Sequence, residues 1–366
     1  MLSHPFVRLC TRLLAAACLV SPVHAMTFTL IDPVDLPGSG MRPSHMILAS
    51  GPIMPGDGQV FEAFMAELPP TDHDAGVQWG IALDSPGGSL PEGVRLGEAF
   101  RAQVVTTVVL NGHVCESACA VAYLGGAAAY AVSLATERLL QPGGRLGFHG
   151  FAVAEGMVAA ANETLELARV TNAVIRDYAI RMGVEDDGLV QSLFNTPPEA
   201  MEYVDTAREI LGLGVTLTVD EIRPPAGWAV NVCRHSVGEM LRELRMLEQP
   251  GRVSDRAERL ETTEAFRRAL LDARASFVGG LLDALADAPA STAIDVLAGR
   301  PLSLDQSAVD IWYVALDRGS GLYYDGCFAV GGDWALTTIV VDEVVGDARV
   351  DSYGMLHGFP ADQPLW

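Results

Sequence analysis

Lysine is absent from this chain of 366 residues, and all 24 basic residues are arginines. A deprotonated lysine amine is the base or nucleophile in several enzyme classes. Arginine cannot replace it, because its guanidinium stays charged near neutral pH. The absence therefore excludes every mechanism that depends on a lysine amine, including a serine–lysine dyad.

Positive charge is also scarce, since 46 acidic residues outnumber the 24 arginines and give a formal net charge of −22. Nucleic acids require a basic surface, so this balance excludes them as partners. The apolar share of 49% and the charged share of 19% predict a globular protein. The length allows two domains.

Apolar runs long enough to span a bilayer are rare. Residues 1–25 have the pattern of a secretory signal peptide, with Arg8 and Arg12 before the apolar residues 13–20 and a small-x-small site ending at Ala25. We expect the mature chain to begin near Met26. Lipidation at Cys18 is disfavoured, because the apolar stretch that separates it from Arg12 is short. Residues 118–135 are also apolar, but Gly125-Gly126 indicates a buried helix, a break and a buried strand rather than a membrane span.

Cysteine is infrequent, and removal of the leader leaves four cysteines: Cys115, Cys119, Cys233 and Cys327. An even number in an exported chain predicts two disulfides, with four buried thiols as the alternative. Pairing Cys115 with Cys119, and Cys233 with Cys327, keeps each bridge within one half of the chain. The longer loop would contribute ~4–5 kcal/mol by chain entropy. No CxxC pair is present, so we expect no metal, and nothing in the sequence indicates a cofactor.

Strands and helices alternate in the first part of the chain, which predicts an α/β domain built from βαβ units. The pattern predicts strands over residues 77–83 and 106–110, and helices over 91–103, 157–182 and 197–211. Pro224-Pro225 marks a boundary. The predicted organisation is a leader (1–25), an α/β domain (26–225) and an α+β region (226–366) whose helical part is followed by β-rich sequence.

Three short motifs carry residues suited to catalysis. Ser85-Pro-Gly-Gly88 lies between a predicted strand and helix, where paired glycines leave backbone N–H groups uncovered for a ligand oxygen. Ser117 begins a predicted helix, which suits a nucleophile but is also typical of a helix cap. His149, flanked by glycine, can accept a proton near neutral pH, although most histidines in such positions are structural.

In this order and spacing, the motifs resemble those of the Clp-protease/crotonase superfamily. The similarity is greatest to exported, ClpP-like periplasmic proteins that carry a Cys-x-Ser-Ala-Cys motif, here Cys115 to Cys119. The resemblance covers roughly residues 45–215. It implies a crotonase-like spiral of stacked ββα units, with Ser117 as nucleophile and His149 as general base. It also implies an oxyanion hole made by the N–H groups of Gly88 and Ala118.

The chain departs from the family pattern at the acid that orients the histidine. The matching segment, residues 192–200, has no acid at the expected place, which leaves Ser192, Asn195, Asp186 or Asp187 for that role. His113 is a rival base, although its position before Ser117 favours a side chain that points away. Between Leu124 and Leu146, Arg138 is the candidate for the basic residue of the family pattern.

The function that the resemblance implies is ATP-independent hydrolysis of peptides or proteins in the periplasm or outside the cell, through an acyl-enzyme. Relatives of this fold often form rings or trimers, so it also implies a homo-oligomer, and the chain would not span the membrane once the leader is removed. The missing acid favours an alternative, a non-catalytic peptide-binding or scaffold protein. Acyl-CoA chemistry, a third alternative, is disfavoured by export. A nucleophilic cysteine is disfavoured by oxidation.

Overall fold

The computed structural model describes residues 25–39, 42–72, 76–130, 133–150, 161–184, 186–197, 199–243, 253–259, 310–316, 324–331, 336–342 and 347–366. Within these residues the protein is a mixed α/β structure with several sheets. Residues 1–24 of the predicted leader lie outside the described part of the chain. Helical periodicity predicts helices over residues 236–292; a helix does end at Glu243, but Val253–Arg259 form a strand, and the remainder lies outside the described residues.

The first part of the chain alternates strands and helices. Its strands are β1 (Thr27–Ile31), β2 (His45–Ser50), β3 (Trp79–Asp84), β4 (Val105–Val109), β5 (Val114–Glu116), β6 (Ala127–Tyr130), β7 (Ser133–Thr136), β8 (Arg138–Leu140), β9 (Arg145–Phe148), β10 (Glu202–Tyr203) and β11 (Val215–Leu217). Its helices are α1 (Asp57–Ala66), α2 (Leu90–Ala102), α3 (Ala118–Tyr123), α4 (Ala161–Arg181), α5 (Asp187–Asn195) and α6 (Ala207–Gly212).

The largest sheet has the order β1-β2-β3-β4-β8-β11, and only β1 runs antiparallel to its neighbour. Its central strands are buried on both faces, as expected for a parallel sheet that is covered on both sides. One face packs against the helices through residues such as Ile81 and Val109. The other face packs against Leu36 through Met46, Ala82, Val108 and Leu139.

A second, smaller sheet lies beside the first and has the order β10-β9-β5. Strand β5 is parallel to β9, and Ser85 extends this sheet by a parallel bridge to Cys115. The chain therefore repeats one pattern: a strand in the large sheet, a strand or bridge in the small sheet, and then a helix. The sequences β4-β5-α3 and β8-β9-α4 are two such units.

A buried arginine, Arg138, holds three helix ends together. Its Nε donates to the carbonyl oxygen of Leu124 at 2.9 Å, and its terminal nitrogens donate to the carbonyls of Met182 and Leu213. These residues follow α3, α4 and α6, whose last carbonyls have no donor within their own helix and attract positive charge. Burial lowers the pKa of Arg138 to about 10, so its guanidinium still carries its charge at neutral pH. Arg138 therefore serves the fold.

The single helix predicted over residues 197–211 is wrong. Helix α5 ends at Asn195, strand β10 follows, and α6 begins only at Ala207. Pro197 has no N–H with which to continue α5. Thr206 then starts α6 with a capping box, in which its hydroxyl accepts from the Glu209 N–H and the Glu209 carboxylate accepts from the Thr206 N–H.

The last part of the chain packs one helix against an antiparallel sheet. The helix is α7 (Trp228–Glu243), and the strands, in sheet order, are β12 (Val253–Arg259), β13 (Asp310–Leu316), β14 (Tyr324–Gly331), β15 (Leu336–Asp342) and β16 (Asp347–Tyr353). A 3-10 helix (Met355–Gly358) follows. The final residues then return to the first part of the chain, where the Leu365 N–H donates to Asp205 O at 2.8 Å.

Two disulfides are present, Cys115–Cys119 and Cys233–Cys327. These are the pairs that the sequence favoured, and they fit a protein of an oxidising compartment. The second joins α7 to β14 within the core between helix and sheet. No helix in the described ranges is both long and apolar enough to cross a membrane.

We expect Arg138→Met to lower the free energy of unfolding by about 3–5 kcal/mol. It leaves the buried carbonyls of Leu124 and Leu213 without a donor, and it leaves Met182 O with only a long bond of 3.4 Å from Arg101. Urea unfolding would measure the loss. Arg223→Met is the matched control, since Arg223 is largely exposed in its pair with Glu221, and its effect should stay below about 1 kcal/mol. Equal losses in the two variants would contradict the role given to Arg138.

A cluster of titratable side chains between α7 and the C-terminal segment predicts a pH dependence of stability. The His235 ring lies 4.3 Å from that of His357 and 3.2 Å from the Glu239 carboxylate, and it also packs against Tyr353. Burial, and then the nearby His357, lower the pKa of His235 to about 4, and these effects outweigh the opposing effect of Glu239. Burial also lowers the pKa of His357.

Between about pH 6.5 and 4, His235 is protonated in the unfolded state and neutral in the folded state. The free energy of unfolding is therefore highest above about pH 6.5 and falls as the pH drops towards about 4, by on the order of 1–3 kcal/mol. His235→Phe keeps the ring contacts and removes the titration, so its unfolding free energy should depend less on pH in this window. Urea unfolding at a series of pH values measures both slopes. Identical slopes would show that His235 is not the group responsible.

Candidate active site

The three motifs nominated from the sequence follow neighbouring members of the small sheet. Ser85 pairs with Cys115 in β5, and β5 pairs with β9, all in parallel. The chain therefore leaves each of them at the same edge, where the carboxyl ends of parallel strands form a crevice. Gly88, Ser117 and His149 come two or three residues after these pairings. The topology thus brings residues from three separate segments to one edge.

Ser117 occupies the turn between β5 and α3 in an unusual backbone conformation, with φ of 58° and ψ of −122°. Among the described residues, Val104 is the only other non-glycine with positive φ. Such a conformation costs of order 1–3 kcal/mol and is most often found at functional sites. The Ser117 N–H donates to Gly147 O at 2.9 Å, which ties the turn to β9. Within the described part of the chain, its half-buried hydroxyl makes no hydrogen bond.

Gly87 fits directly against this turn. With φ of +89°, it approaches so closely that an added Cβ would lie 2.5 Å from Glu116 O, 2.8 Å from Ser117 Cβ and 3.0 Å from Ala118 N. Only glycine satisfies both the conformation and the space. The loop that carries Gly87 and Gly88 is thereby held at contact distance from Ser117.

Two backbone donors remain unused beside Ser117. Ile53 pairs with the other side of the glycine loop, since its N–H donates to Gly87 O at 2.8 Å and its carbonyl accepts from the Ser89 N–H at 2.9 Å. In a parallel ladder this arrangement directs the N–H of Gly88 away from Ile53. Neither that N–H nor the N–H of Ala118 finds an acceptor within the described ranges. Both are therefore free to donate to a ligand oxygen.

His149 is half-buried, and its Nδ1 lies 2.6 Å from the carbonyl oxygen of Gly150. A carbonyl only accepts hydrogen bonds, so Nδ1 is the donor, and in the neutral imidazole the lone pair is then on Nε2. This is the tautomer that a general base requires. No hydrogen bond joins His149 to the Ser117 hydroxyl in the described part of the chain.

The loop that carries His149 is fixed from outside the small sheet. The Gly150 N–H donates to Thr196 O at 2.7 Å. Next to His149, the Phe148 ring packs edge-on against Phe194 with centroids 5.5 Å apart. The C-terminal end of α5 therefore holds this loop in place.

The four residues considered as the orienting group differ in their positions. Asp186 caps α5, because its carboxylate accepts from the Leu189 N–H at 2.9 Å. It lies at the end of that helix farther from His149, so it does not orient the imidazole. Ser192 and Asn195 are exposed on α5, and the side chain of Asp187 lies outside the described part of the structure. The group that contacts Nδ1 is instead the Gly150 carbonyl.

His113, the rival base, lies at the opposite end of β5 from Ser117. The three-residue strand between them separates the two residues by roughly 10 Å, at about 3.3 Å per residue. Its Nδ1 is buried and has no hydrogen-bond partner among the described residues. His113 therefore stays outside the edge where Ser117 and His149 lie.

The Cys115–Cys119 disulfide spans the turn that holds Ser117. Both cysteines are fully buried, and their Cα atoms are 5.1 Å apart. The bridge connects β5 to the first turn of α3, so it limits the conformations open to the three residues between them. This position suits a brace that keeps Ser117 in its strained conformation.

A polar cluster beside Ser117 was not foreseen from the sequence. The Glu116 carboxylate accepts from the Tyr203 hydroxyl at 2.6 Å and from the Arg145 guanidinium at 2.8 Å. Burial, and then the hydrogen bond to Glu116, raise the pKa of Tyr203, so its phenol keeps its proton. The cluster ties β10 and β9 to β5. No local sequence pattern predicts this cluster, because Tyr203 lies 87 residues from Glu116.

No group of three or more histidine, cysteine or acidic side chains within the described residues is arranged to hold a metal ion. No protein-family model matches the chain, and no curated protein matches it either.

We expect Gly87→Ala to destabilise the protein more than Gly112→Ala. Both glycines have positive φ, but an added Cβ at Gly112 meets nothing within 4 Å. Gly112→Ala therefore measures the cost of backbone strain alone. In Gly87→Ala, the collision with Glu116 and Ser117 should lower the free energy of unfolding by about 1–3 kcal/mol more. Urea unfolding of both variants measures the difference. Equal losses would mean that the loop does not press on the Ser117 turn.

Proposed function

We propose that this chain is an exported serine hydrolase that cleaves peptide bonds without ATP, through an acyl-enzyme on Ser117. The observation that carries the proposal is the conformation of Ser117. A serine in a strained turn between a strand and a helix presents its hydroxyl clear of the backbone, as nucleophilic serines require. Two unpaired backbone N–H groups lie beside it, those of Gly88 and Ala118.

The proposed reaction begins with attack of Ser117 Oγ on the substrate carbonyl carbon. The hydroxyl proton passes to His149 Nε2, and the carbonyl oxygen becomes an oxyanion that accepts from the N–H groups of Gly88 and Ala118. Protonated His149 then gives its proton to the leaving amine as the C–N bond breaks. Water, deprotonated by His149, then attacks the resulting ester and forms a second tetrahedral oxyanion. As this oxyanion collapses, the bond between the carbonyl carbon and Ser117 Oγ breaks, His149 returns its proton to Oγ, and the acid is released.

The state of His149 supports its part in this reaction. Its Nδ1 proton is engaged by the Gly150 carbonyl, so in the neutral imidazole Nε2 is the nitrogen that can accept a proton. The carbonyl dipole also favours the imidazolium that forms after proton transfer, although less strongly than a carboxylate would. Hydrogen bonds between catalytic groups are often long in ligand-free structures and shorten when substrate binds. The proposal therefore requires His149 Nε2 to reach Ser117 Oγ when substrate is bound.

The repeated units support a crotonase-like arrangement. Each unit places a strand in the large sheet, a strand or bridge in the small sheet and then a helix, as a spiral of ββα units would. The two disulfides support export to the periplasm or beyond.

A non-catalytic peptide-binding or scaffold protein on the same fold is the second candidate. Two observations favour it. Within the described part of the chain, no carboxylate contacts His149, and no hydrogen bond links His149 to Ser117. In that case the same edge would hold a peptide without cleaving it.

Labelling with a fluorophosphonate probe, followed by intact-mass analysis, distinguishes the two. We expect one adduct on the protein and none on Ser117→Ala. His149→Ala should label about 10²–10⁴-fold more slowly, the usual contribution of a general base. His113→Ala is the matched control, and its rate should stay within about twofold, because His113 lies at the far end of β5.

Absence of an adduct on well-folded protein would reject the hydrolase and leave the binding protein. Equal labelling of Ser117→Ala would place the reactive serine elsewhere. If His113→Ala instead of His149→Ala slows the reaction, the base has been misassigned.

A further inference from the structure

A buried carboxylate lies next to the expected start of the mature chain. Asp57 is 2% exposed and Met26 is 3% exposed. The Met26 backbone nitrogen lies 3.3 Å from Asp57 Oδ2, and the same oxygen accepts from the Met54 N–H at 2.6 Å. No arginine or histidine in the described ranges pairs with Asp57. Burying a carboxylate whose only partners are neutral donors is costly, and a cation beside Asp57 would offset that cost.

Removal of the leader would supply that cation at the same atom. Cleavage after Ala25 changes the Met26 nitrogen from a neutral amide into an α-amino group, whose ordinary pKa is about 7.7–8.0. An adjacent carboxylate favours its protonated form. Processing would therefore replace a long amide hydrogen bond with a charged pair and would not require Asp57 to move.

The segment that carries Asp57 also supports the glycine loop of the candidate site. Met54, which donates to Asp57, directly follows Ile53, and Ile53 holds Gly87 and Ser89 on either side of Gly88. An added Cβ at Gly88 would lie 3.0 Å from Ile53 N, so the contact leaves no spare room. On the other side of Asp57, the Gly58 N–H donates to the buried Glu92 carboxylate of α2 at 2.7 Å. Contacts therefore run without interruption from Asp57 through Met54 and Ile53 to the Gly88 loop.

We propose that Asp57 is the binding site for the α-ammonium group of the processed chain, and that leader removal thereby completes the Gly88 side of the active site. The unprocessed protein keeps the fold but holds this side of the site less firmly. The second half of the proposal rests on the proposed hydrolase activity, whereas the first half does not.

The test compares the mature chain that begins at Met26 with the same chain extended by Gly-Ser, each with Asp57 and with Asp57→Asn. The extension keeps the Met26 N–H but turns the charged α-amino group at Met26 into a neutral amide. Asp57→Asn keeps an acceptor oxygen but removes the negative charge. The four proteins form a double-mutant cycle. Mass spectrometry of the protein secreted with its own leader establishes the natural N-terminus.

Two readouts are independent of catalysis. NMR titration of the isotopically methylated α-amine should give a pKa at least about one unit above the ordinary 7.7–8.0, and Asp57→Asn should remove this increase. The urea midpoint should fall on extension in the Asp57 protein and stay unchanged on extension in Asp57→Asn. An ordinary α-amino pKa, equal midpoints or a natural N-terminus other than Met26 would overturn the proposal.

The fluorophosphonate labelling rate tests the link to the site. Extension should slow labelling by about tenfold to a hundredfold, since a misplacement of about 1 Å can cost about 10²-fold. Equal rates with and without the extension would overturn the link to the site. If no variant labels while the α-amine pKa still depends on Asp57, the proposed hydrolase fails and the ammonium site stands.

Discussion

Hydrogen bonds from Arg138 hold three helix ends together, and the rest of the first part of the structure depends on them. One buried guanidinium donates to the carbonyls that follow α3, α4 and α6. These carbonyls are the negative ends of their helices, and without a donor they would be costly to bury. The six-residue α3 has this cation at its C-terminal end and Ser117 at its N-terminal end. The position of Ser117 therefore depends on a charge placed deep in the core.

The candidate site is assembled by topology and then tightened by local contacts. Parallel pairing of the small sheet brings the Gly88, Ser117 and His149 loops to one edge. Gly87 presses against the Ser117 turn, the Cys115–Cys119 bridge spans it, and the end of α5 holds the His149 loop. Each loop is thus supported by a different neighbour, which is the preorganisation that the proposed reaction would require. In the proposed reaction, the Gly150 carbonyl would take the place that an acid has in a triad.

Local patterns predicted much of this from the sequence. The predicted strand over 77–83 and helix over 91–103 lie within two residues of β3 and α2, because their apolar spacing and flanking turns are local signals. The two cysteine pairs favoured from the sequence are the two disulfides of the structure. The role of Arg138 could not be predicted, since its three acceptors lie 14, 44 and 75 residues away. The helix expected over 197–211 failed because the cap at Thr206 overrides the periodicity. The three site motifs could be named, but the loop conformation that brings the Gly150 carbonyl to His149 Nδ1 depends on contacts with the end of α5.

The central claim, that Ser117 and His149 act together at this edge, is tested most directly by a crystal structure of the mature protein with a peptidyl phosphonate bound covalently. The account predicts a bond from Ser117 Oγ to phosphorus. It also predicts one phosphonyl oxygen within about 3.1 Å of the Gly88 and Ala118 nitrogens, and His149 Nε2 within about 3.2 Å of Ser117 Oγ. A phosphonyl oxygen directed to solvent, with His149 beyond hydrogen-bond reach, would contradict it.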